Sequence, residues 1–158
     1  MRNWYFSTGL LLSTIFSLCT LGNRPAFSSD VCTNAISAVT RDIESLGALV
    51  YPASKYQIDE SPYRYGEAVS IRLGYATTGA TITQSIVADH ILLYNDDYAR
   101  DYADRVIGSC PKVVSFSIGA YEYISKWVLM PNGKIQRAAC VDAVARPHKY
   151  AWGTVPCL

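Results

Sequence analysis

The chain has 158 residues, half of them apolar, which is enough to bury the core of one domain. Its formal net charge is +1, and the charged residues are spread along the sequence without a cluster of Lys and Arg. This composition argues against a disordered chain, and we expect no nucleic acid as a partner.

Residues 1–28 contain the three parts of a cleavable export signal in order. Arg2 supplies the positive start, and the apolar run TGLLLSTIFSLCTL follows it. Ala26 and Ser28 are the small residues expected just before a cleavage site at Ser29. The pattern therefore predicts an exported protein, periplasmic or extracellular.

Two other interpretations of this segment are weaker. An uncleaved membrane anchor requires roughly 20 apolar residues, and the run is shorter than that and diluted by Ser and Thr. Lipoprotein processing at Cys19 is disfavoured because Leu18 stands where such sites use a small residue. After cleavage, we expect no stable membrane insertion.

Residues 29–158 are predicted to form a single domain stabilised by disulfide bonds. Four cysteines remain in this part of the chain: Cys32, Cys110, Cys140 and Cys157. An even number of cysteines in an exported chain of this size is typical of a disulfide framework.

The domain begins with a predicted amphipathic helix from Asp30, with Ser29 or Asp30 as its N-cap and Gly47 as its end. Apolar residues recur along it at helical spacing, namely Cys32, Ile36, Val39, Ile43, Leu46 and Val50. Residues 51–67 contain Pro and Gly without a period and predict a surface connection. The alternation at 68–76 then predicts a half-buried strand, with Val69, Ile71 and Leu73 on one face.

The apolar residues of 77–94 fit either a loop with a short helical turn or a helix that runs into the next segment, and we favour the loop, with Asp89 capping the turn. A second helix follows, with Asn95 as its N-cap and with Gly108 and Pro111 at its end. Its apolar stripe consists of Ala99, Ala103, Val106 and Cys110. The acidic residues of this helix fit i,i+4 ion pairs, Asp96 with Arg100 and Asp101 with Arg105, better than calcium ligands.

The rest of the chain is β in character. Residues 112–120 alternate, and two further runs flank PNGK, where Asn132 and Gly133 favour a two-residue hairpin turn. This turn predicts that Met130 faces Ile135 and that Trp127 faces Ala138. The last 17 residues predict a surface tail with one short strand. The order of elements indicates an α+β fold in which two helices pack on one face of a mostly antiparallel sheet of about four strands.

Four cysteines allow three pairings. A bond between Cys110 and Cys140 is disfavoured because these residues fall at opposite ends of parallel strands. We favour Cys32 with Cys110, since both lie on the buried stripes of helices, and Cys140 with Cys157, which would hold the tail. The crossed pairing stays open.

Residues 29–158 contain no G-x-S-x-G or H-E-x-x-H motif and no phosphate loop. Asp89 beside His90 invites a metal or general-base interpretation, yet neighbouring residues on a helix or strand point in different directions. We predict no catalytic residue, no metal ligand and no cofactor.

Aromatic residues are the remaining signal. Flat rings with a polar group stack on sugars or on partner surfaces, and they fill cores equally well. The candidate binding surface comprises Tyr63, Tyr65, Tyr121, Tyr123, Trp127 and Trp152. Tyr121, Tyr123 and Trp127 are expected to share one strand face, so all three should be buried or exposed together.

The runs YADRVIGSCPKVVSFSIGAYEY, NGKIQRAACV and WGTVPCL resemble small exported proteins of cyanobacteria for which no activity is known. The resemblance covers residues 67–158 and depends on the placement of Cys, Gly and Trp. It implies export from a bacterial cell and carries over no catalytic residue.

The sequence thus predicts an exported, disulfide-stabilised protein with a non-enzymatic binding or structural role in the cell envelope or outside the cell. An envelope glycan or protein is its candidate partner. The alternative is a small hydrolase or metal-dependent enzyme centred on Asp89 and His90.

Overall fold

The computed structural model describes residues 29–59, 62–63, 65–141 and 151–156, so the predicted signal at 1–28 lies outside the described residues. The helices are α1 (Ser29–Ser45), α2 (Ile82–Asp89) and α3 (Asp96–Ser109), with a 3₁₀ turn at Ala76–Thr78 and a π-helix at His90–Tyr94. The strands are β1 (Ser54–Gln57), β2 (Glu67–Arg72), β3 (Val113–Ala120), β4 (Tyr123–Leu129), β5 (Ile135–Arg137), β6 (Ala139–Val141) and β7 (Thr154–Pro156).

One five-stranded sheet has the strand order β1-β2-β3-β4-β5. Only β2 and β3 are parallel in this sheet, since the other neighbouring strands are antiparallel. β6 and β7 form a separate parallel pair. The predicted α+β fold with a mostly antiparallel sheet is therefore confirmed, with five strands in the main sheet.

The helices cover one face of this sheet, which we call the inner face. α1 packs against α3, and α3 packs on β3. The largest fully buried side chains are those of Phe116, Ile43, Ile71, Leu73, Ile91 and Ile118. The predicted stripe of α3 is confirmed, because its four residues all lie in this core. The stripe of α1 is confirmed for Val39 and Ile43, which are buried, and for Cys32 and Ile36, which pack against the core. It does not extend further, since Leu46 is 39% exposed and Val50 lies beyond the end of α1.

A disulfide joins Cys32, near the start of α1, to Cys110, just after α3, with 4.7 Å between their Cα atoms. The favoured pairing of these two cysteines is thus confirmed, as is the reason for it, since the two helices pack side by side. Cys140 is also disulfide-bonded. Cys157 lies outside the described residues, but Cys140 pairs in register with Val155, two positions before it.

A sequence signal marks the C-terminal end of α1 and the N-terminal start of α3, as predicted. Gly47, with φ +96°, stands just beyond the end of α1 in the left-handed conformation that glycine adopts readily. The Asn95 side chain caps α3, because its Oδ1 accepts a hydrogen bond from the Asp97 N–H at 3.2 Å. Ser29 is the first helical residue of α1 and is not its N-cap.

Residues 77–94 were wrongly predicted as a loop with a capped turn. Thr81 opens α2 with a reciprocal capping box, in which its Oγ1 accepts from the Gln84 N–H at 3.2 Å and Gln84 Oε1 accepts from the Thr81 N–H at 2.8 Å. Asp89 makes no capping hydrogen bond and has helical dihedrals. The chain continues through it into the π-helix.

The surface connection at 51–67 contains β1, which the sequence analysis missed. β1 pairs antiparallel with β2, with Ser54 opposite Ser70 and Gln57 opposite Glu67. All four of its residues are exposed, so it lacks the apolar alternation by which a half-buried strand is recognised.

The hairpin between β4 and β5 forms, but its register differs by one residue from the prediction. Leu129 faces Ile135 and Trp127 faces Arg137, because the loop contains three residues, Pro131 to Gly133. Gly133 has φ +78°, whereas Asn132 does not have positive φ, so the two-residue turn that needs both does not form.

Ion pairing along α3 follows the predicted spacing only in part. Arg105 does contact Asp101 at 3.5 Å and also pairs with Asp42 of α1. Asp96 pairs instead with Arg137 of β5 at 2.8 Å, while Arg100 contacts Asp104 at 3.9 Å. The predicted pair of Asp96 with Arg100 is therefore wrong, and Asp96 ties α3 to the sheet edge.

The opposite face of the sheet, the outer face, is only partly covered. The tail residue Gly153 lies against the side chains of Gln136 and Met130, and its N–H donates to the Tyr63 Oη at 2.7 Å. The tail thus covers the end of the outer face at which β2 begins. At the other end, where β2 and β3 finish, the outer face is open.

Candidate functional site

Two adjoining clefts occupy the open end of the outer face. The larger has a volume of about 490 Å³ and is lined by Tyr51, Pro52, Ser54, Ser70, Arg72 and Thr78. The smaller is lined by Ser70, Ile71, Arg72, Gly119, Tyr121 and Ile124. Ser70 and Arg72 line both, and we call the two adjoining clefts together the outer cleft.

Backbone pairing positions the outer cleft. Arg72 is the last residue of β2 and lies beside Gly119 of β3. The Tyr51 N–H donates to the Arg72 carbonyl at 2.9 Å, and the Tyr51 hydroxyl donates to the carbonyl of Thr78. These bonds join the residues before β1 to those after β2 and so fix the wall of the larger cleft.

Tyr121 forms the opposite side of the outer cleft, in the turn between β3 and β4. Its φ of +52° is uncommon for a residue with a side chain, and its side chain is 58% exposed. Its ring stacks on that of Tyr75, with 5.9 Å between the ring centroids. An exposed ring held by a strained backbone and a stacking neighbour is presented to solvent in a defined orientation.

The predicted aromatic surface is divided among three places. Trp127 is 7% exposed and belongs to the core, where its Nε1–H donates to Ser125 Oγ at 3.1 Å. Tyr121 and Tyr123 are both exposed, and of these two only Tyr121 lines the outer cleft. The prediction that these three residues are buried or exposed together is wrong, because Tyr121 lies in a turn and Trp127 is covered by the helices.

The remaining predicted aromatics lie near the start of β2. Tyr63 is buried, and its ring meets the edge of the half-exposed Trp152 with 4.9 Å between centroids. Tyr65 is exposed, with φ +72°. Because Tyr63 also accepts the Gly153 N–H, Tyr63 and Trp152 hold the tail on the sheet. Their contacts therefore serve the fold.

Asp89 and His90 have different partners. The Tyr75 hydroxyl donates to Asp89 Oδ2 at 3.1 Å, while Asp89 Oδ1 is buried and accepts no hydrogen bond within the described residues. His90 is exposed and meets the edge of the Tyr98 ring. Neither residue lines the outer cleft. Within the described ranges, no group of three His, Cys, Asp or Glu could hold a metal ion.

The hydrogen bond from Tyr75 to Asp89 should be detectable through the pKa of Tyr75. The hydrogen bond to the carboxylate, with its negative charge, raises the pKa of Tyr75 above 10.0. Replacing Asp89 by alanine should lower this pKa towards the ordinary value, as followed by NMR of the tyrosine rings. Asp104→Ala, on the exposed side of α3, is the control. An unchanged Tyr75 pKa in Asp89→Ala would contradict the assigned bond.

Alkaline pH should destabilise the fold, because three tyrosines have a raised pKa in the folded state. Burial raises the pKa of Tyr63 and that of Tyr102 above 10.0, in addition to the shift of Tyr75. The folded state then holds these protons more tightly than the unfolded chain does. The free energy of unfolding should therefore fall as the pH rises above 10, and denaturant titrations at neutral and alkaline pH would measure it.

An exposed apolar ridge lies on the helical side of the molecule. It consists of Ile82, Ile86, Leu93 and Tyr94, on α2 and the π-helix. The described structure holds no feature that identifies what covers this ridge.

Residue types alone could not locate the outer cleft. Arg72, Tyr51 and Ser54 were not among the sequence-predicted site residues, because they come together only when β1 and β3 pair on the two sides of β2.

Comparisons of the chain with family models, with curated proteins and with solved structures find no match. In the part of the chain that the structure describes, no helix combines the length and apolar character needed to cross a bilayer.

Proposed function

We propose that the chain is an exported binding protein without catalytic activity, acting in the periplasm or outside the cell. Its partner, an envelope glycan or protein, docks in the outer cleft. The observation that carries this proposal is the exposed Tyr121 ring beside a polar cleft of about 490 Å³. Clefts of this size accommodate small ligands and segments of larger ones.

Export is supported by three features of the chain. Residues 1–28 have the pattern of a cleavable signal. The Cys32–Cys110 disulfide and the disulfide-bonded Cys140 are of a kind that persists in oxidising compartments. The resemblance to small exported cyanobacterial proteins agrees with both.

A binding role is supported by the chemistry of the outer cleft. The lining residues combine an aromatic ring, hydroxyls and one cation, which are the groups that orient a polar ligand. They include no histidine, cysteine or carboxylate to serve as nucleophile or general base.

A binding screen with matched tyrosine variants tests the proposal. Envelope glycans and envelope proteins would be titrated against the exported form by calorimetry. Tyr121→Ala should weaken binding by about tenfold, the loss expected for one stacked ring. Tyr94→Ala removes a ring that is more exposed, 77% against 58% for Tyr121, on the helical side of the molecule and should leave the affinity unchanged.

The two variants separate the outer cleft from the helical ridge. Binding that survives Tyr121→Ala and fails with Tyr94→Ala would overturn the assignment of the outer cleft. Circular dichroism and thermal unfolding of both variants would establish that the fold is intact, as expected for two exposed side chains.

A further inference from the structure

We infer that the ligand of the outer cleft is a saccharide that carries a carboxylate, such as a uronic acid unit of an envelope polysaccharide. The inference rests on the proposed function and specifies the chemistry of its ligand. It follows from three properties of the cleft, namely a guanidinium available for pairing, two hydroxyls without partners and an exposed ring.

Arg72 supplies the charge. It is exposed and makes no ion pair within the described residues. By contrast, Arg105 pairs with two aspartates, and Arg137 pairs with Asp96. Arg41 of α1 also lacks an ion pair within the described residues, but it lies in the helical layer, away from the cleft. Among the described residues, no carboxylate lines the cleft around Arg72, so none of them competes with an external anion there.

The guanidinium of Arg72 selects the shape of that anion. Its planar fork forms two parallel hydrogen bonds with a carboxylate, which fixes the direction of the bound group as well as its charge. Gly119, beside Arg72 on β3, presents no side chain to the cleft at this point. The Ile124 side chain packs over this position, since a Cβ at Gly119 would lie 3.0 Å from Ile124 Cγ1, and it forms the apolar wall of the cleft here.

Two serine hydroxyls in the cleft favour a ligand that carries hydroxyl groups of its own. Ser54 and Ser70 are register partners on β1 and β2, and their side chains line the larger cleft without an assigned hydrogen bond in the described structure. The hydroxyl of Thr78, by contrast, is already bonded to the backbone of Tyr75. The two serines can therefore donate to and accept from ligand hydroxyls.

The exposed face of Tyr121 completes the set. An aromatic ring stacks on the flat apolar face of a sugar, and its hydroxyl remains in contact with water. A simple carboxylic acid would use Arg72 alone, and a neutral sugar would use the serines and Tyr121 alone. A sugar acid uses all three.

Two oligosaccharides of the same length that differ in charge test the inference. The probes are tetragalacturonate and the same tetramer fully methyl-esterified, titrated by calorimetry against the exported form. The acid should bind at least about tenfold more tightly than its ester, because the charge-assisted bonds to Arg72 are lost in the ester. This preference should shrink with added salt, since the pair is exposed to solvent.

Two variants test whether Arg72 causes the preference for the acid tetramer over its ester. Arg72→Gln should abolish the difference between acid and ester. Arg41→Gln is the matched control, because it removes the same charge from an exposed position on α1 in the helical layer. It should leave the preference intact.

The outcomes distinguish the two proposals. If acid and ester bind equally, and both are weakened by Tyr121→Ala, the carboxylate assignment falls and the binding function stands. If inorganic phosphate displaces the acid tetramer more effectively than galacturonate monomer does, the cleft is a phosphate site and the inference is overturned. If neither tetramer binds, the inference is wrong, and the wider screen of glycans and proteins decides the proposed function.

Discussion

Removing the Cys32–Cys110 disulfide by replacing both cysteines with alanine should lower the free energy of unfolding by about 4 kcal/mol. The bond closes a loop with a sequence separation of 78 residues. Without it the unfolded chain gains the entropy of a long open loop, while α1 and α3 keep their packing in the folded state. Urea unfolding of the wild type and of the double variant would measure the loss.

The slope of the unfolding curve provides a second measurement. A cross-linked chain exposes less surface when it unfolds, so the m-value should rise in the double variant. The disulfide of Cys140 stays intact in this design, whereas a reducing agent would remove both bonds. A loss below about 1 kcal/mol with an unchanged m-value would show that the bond does not constrain the unfolded chain.

Trp127→Ala should cost about 3–5 kcal/mol of stability, the range for deletion of a buried large aromatic side chain. Its ring lies under the helices, opposite Phe116 in the β3–β4 register, and its Nε1–H bonds to Ser125. The substitution leaves a cavity in the centre of the core and removes the partner of a buried serine hydroxyl.

Tyr123→Ala is the matched control for Trp127, because the two residues lie on the same face of the same strand. Tyr123 is 47% exposed, so its loss should cost less than about 1 kcal/mol. Thermal and urea unfolding of the two variants would compare them directly. Similar losses in both would mean that Trp127 is not a core residue.

The two long helices could be predicted from the sequence because their signals are local. Each has apolar residues at helical spacing and a recognisable end, Gly47 for α1 and Asn95 for α3. The Cys32–Cys110 pairing followed, since both residues lie on stripes that had to be buried together. Local periodicity and capping signals were therefore enough to predict most of the fold class.

Other elements could not be predicted because tertiary contacts define them. β1 is a strand only through its pairing with β2, and its residues Ser54–Gln57 show no apolar alternation. The hairpin register depended on the backbone conformation of Asn132, which the sequence PNGK leaves open. A difference of one loop residue was enough to shift every pair.

The candidate site was the hardest part to predict. Aromatic residues drew attention in the sequence, yet burial divided them between the core, the tail contact and the outer cleft. Arg72 looked like an ordinary solvent-facing strand residue. Its role as the central cation of the cleft depends on the parallel pairing of β2 with β3, which brings Tyr121 to its side.

The two edges of the five-stranded sheet limit how another chain can join this protein. β1 has four exposed residues, including the Lys55 ion pair with Glu67, and β5 has only three, one of them held by Asp96. Short, charged edges discourage the addition of a foreign strand. A protein partner would therefore have to recognise side chains on a face of the domain, and the sheet itself should resist edge-to-edge aggregation.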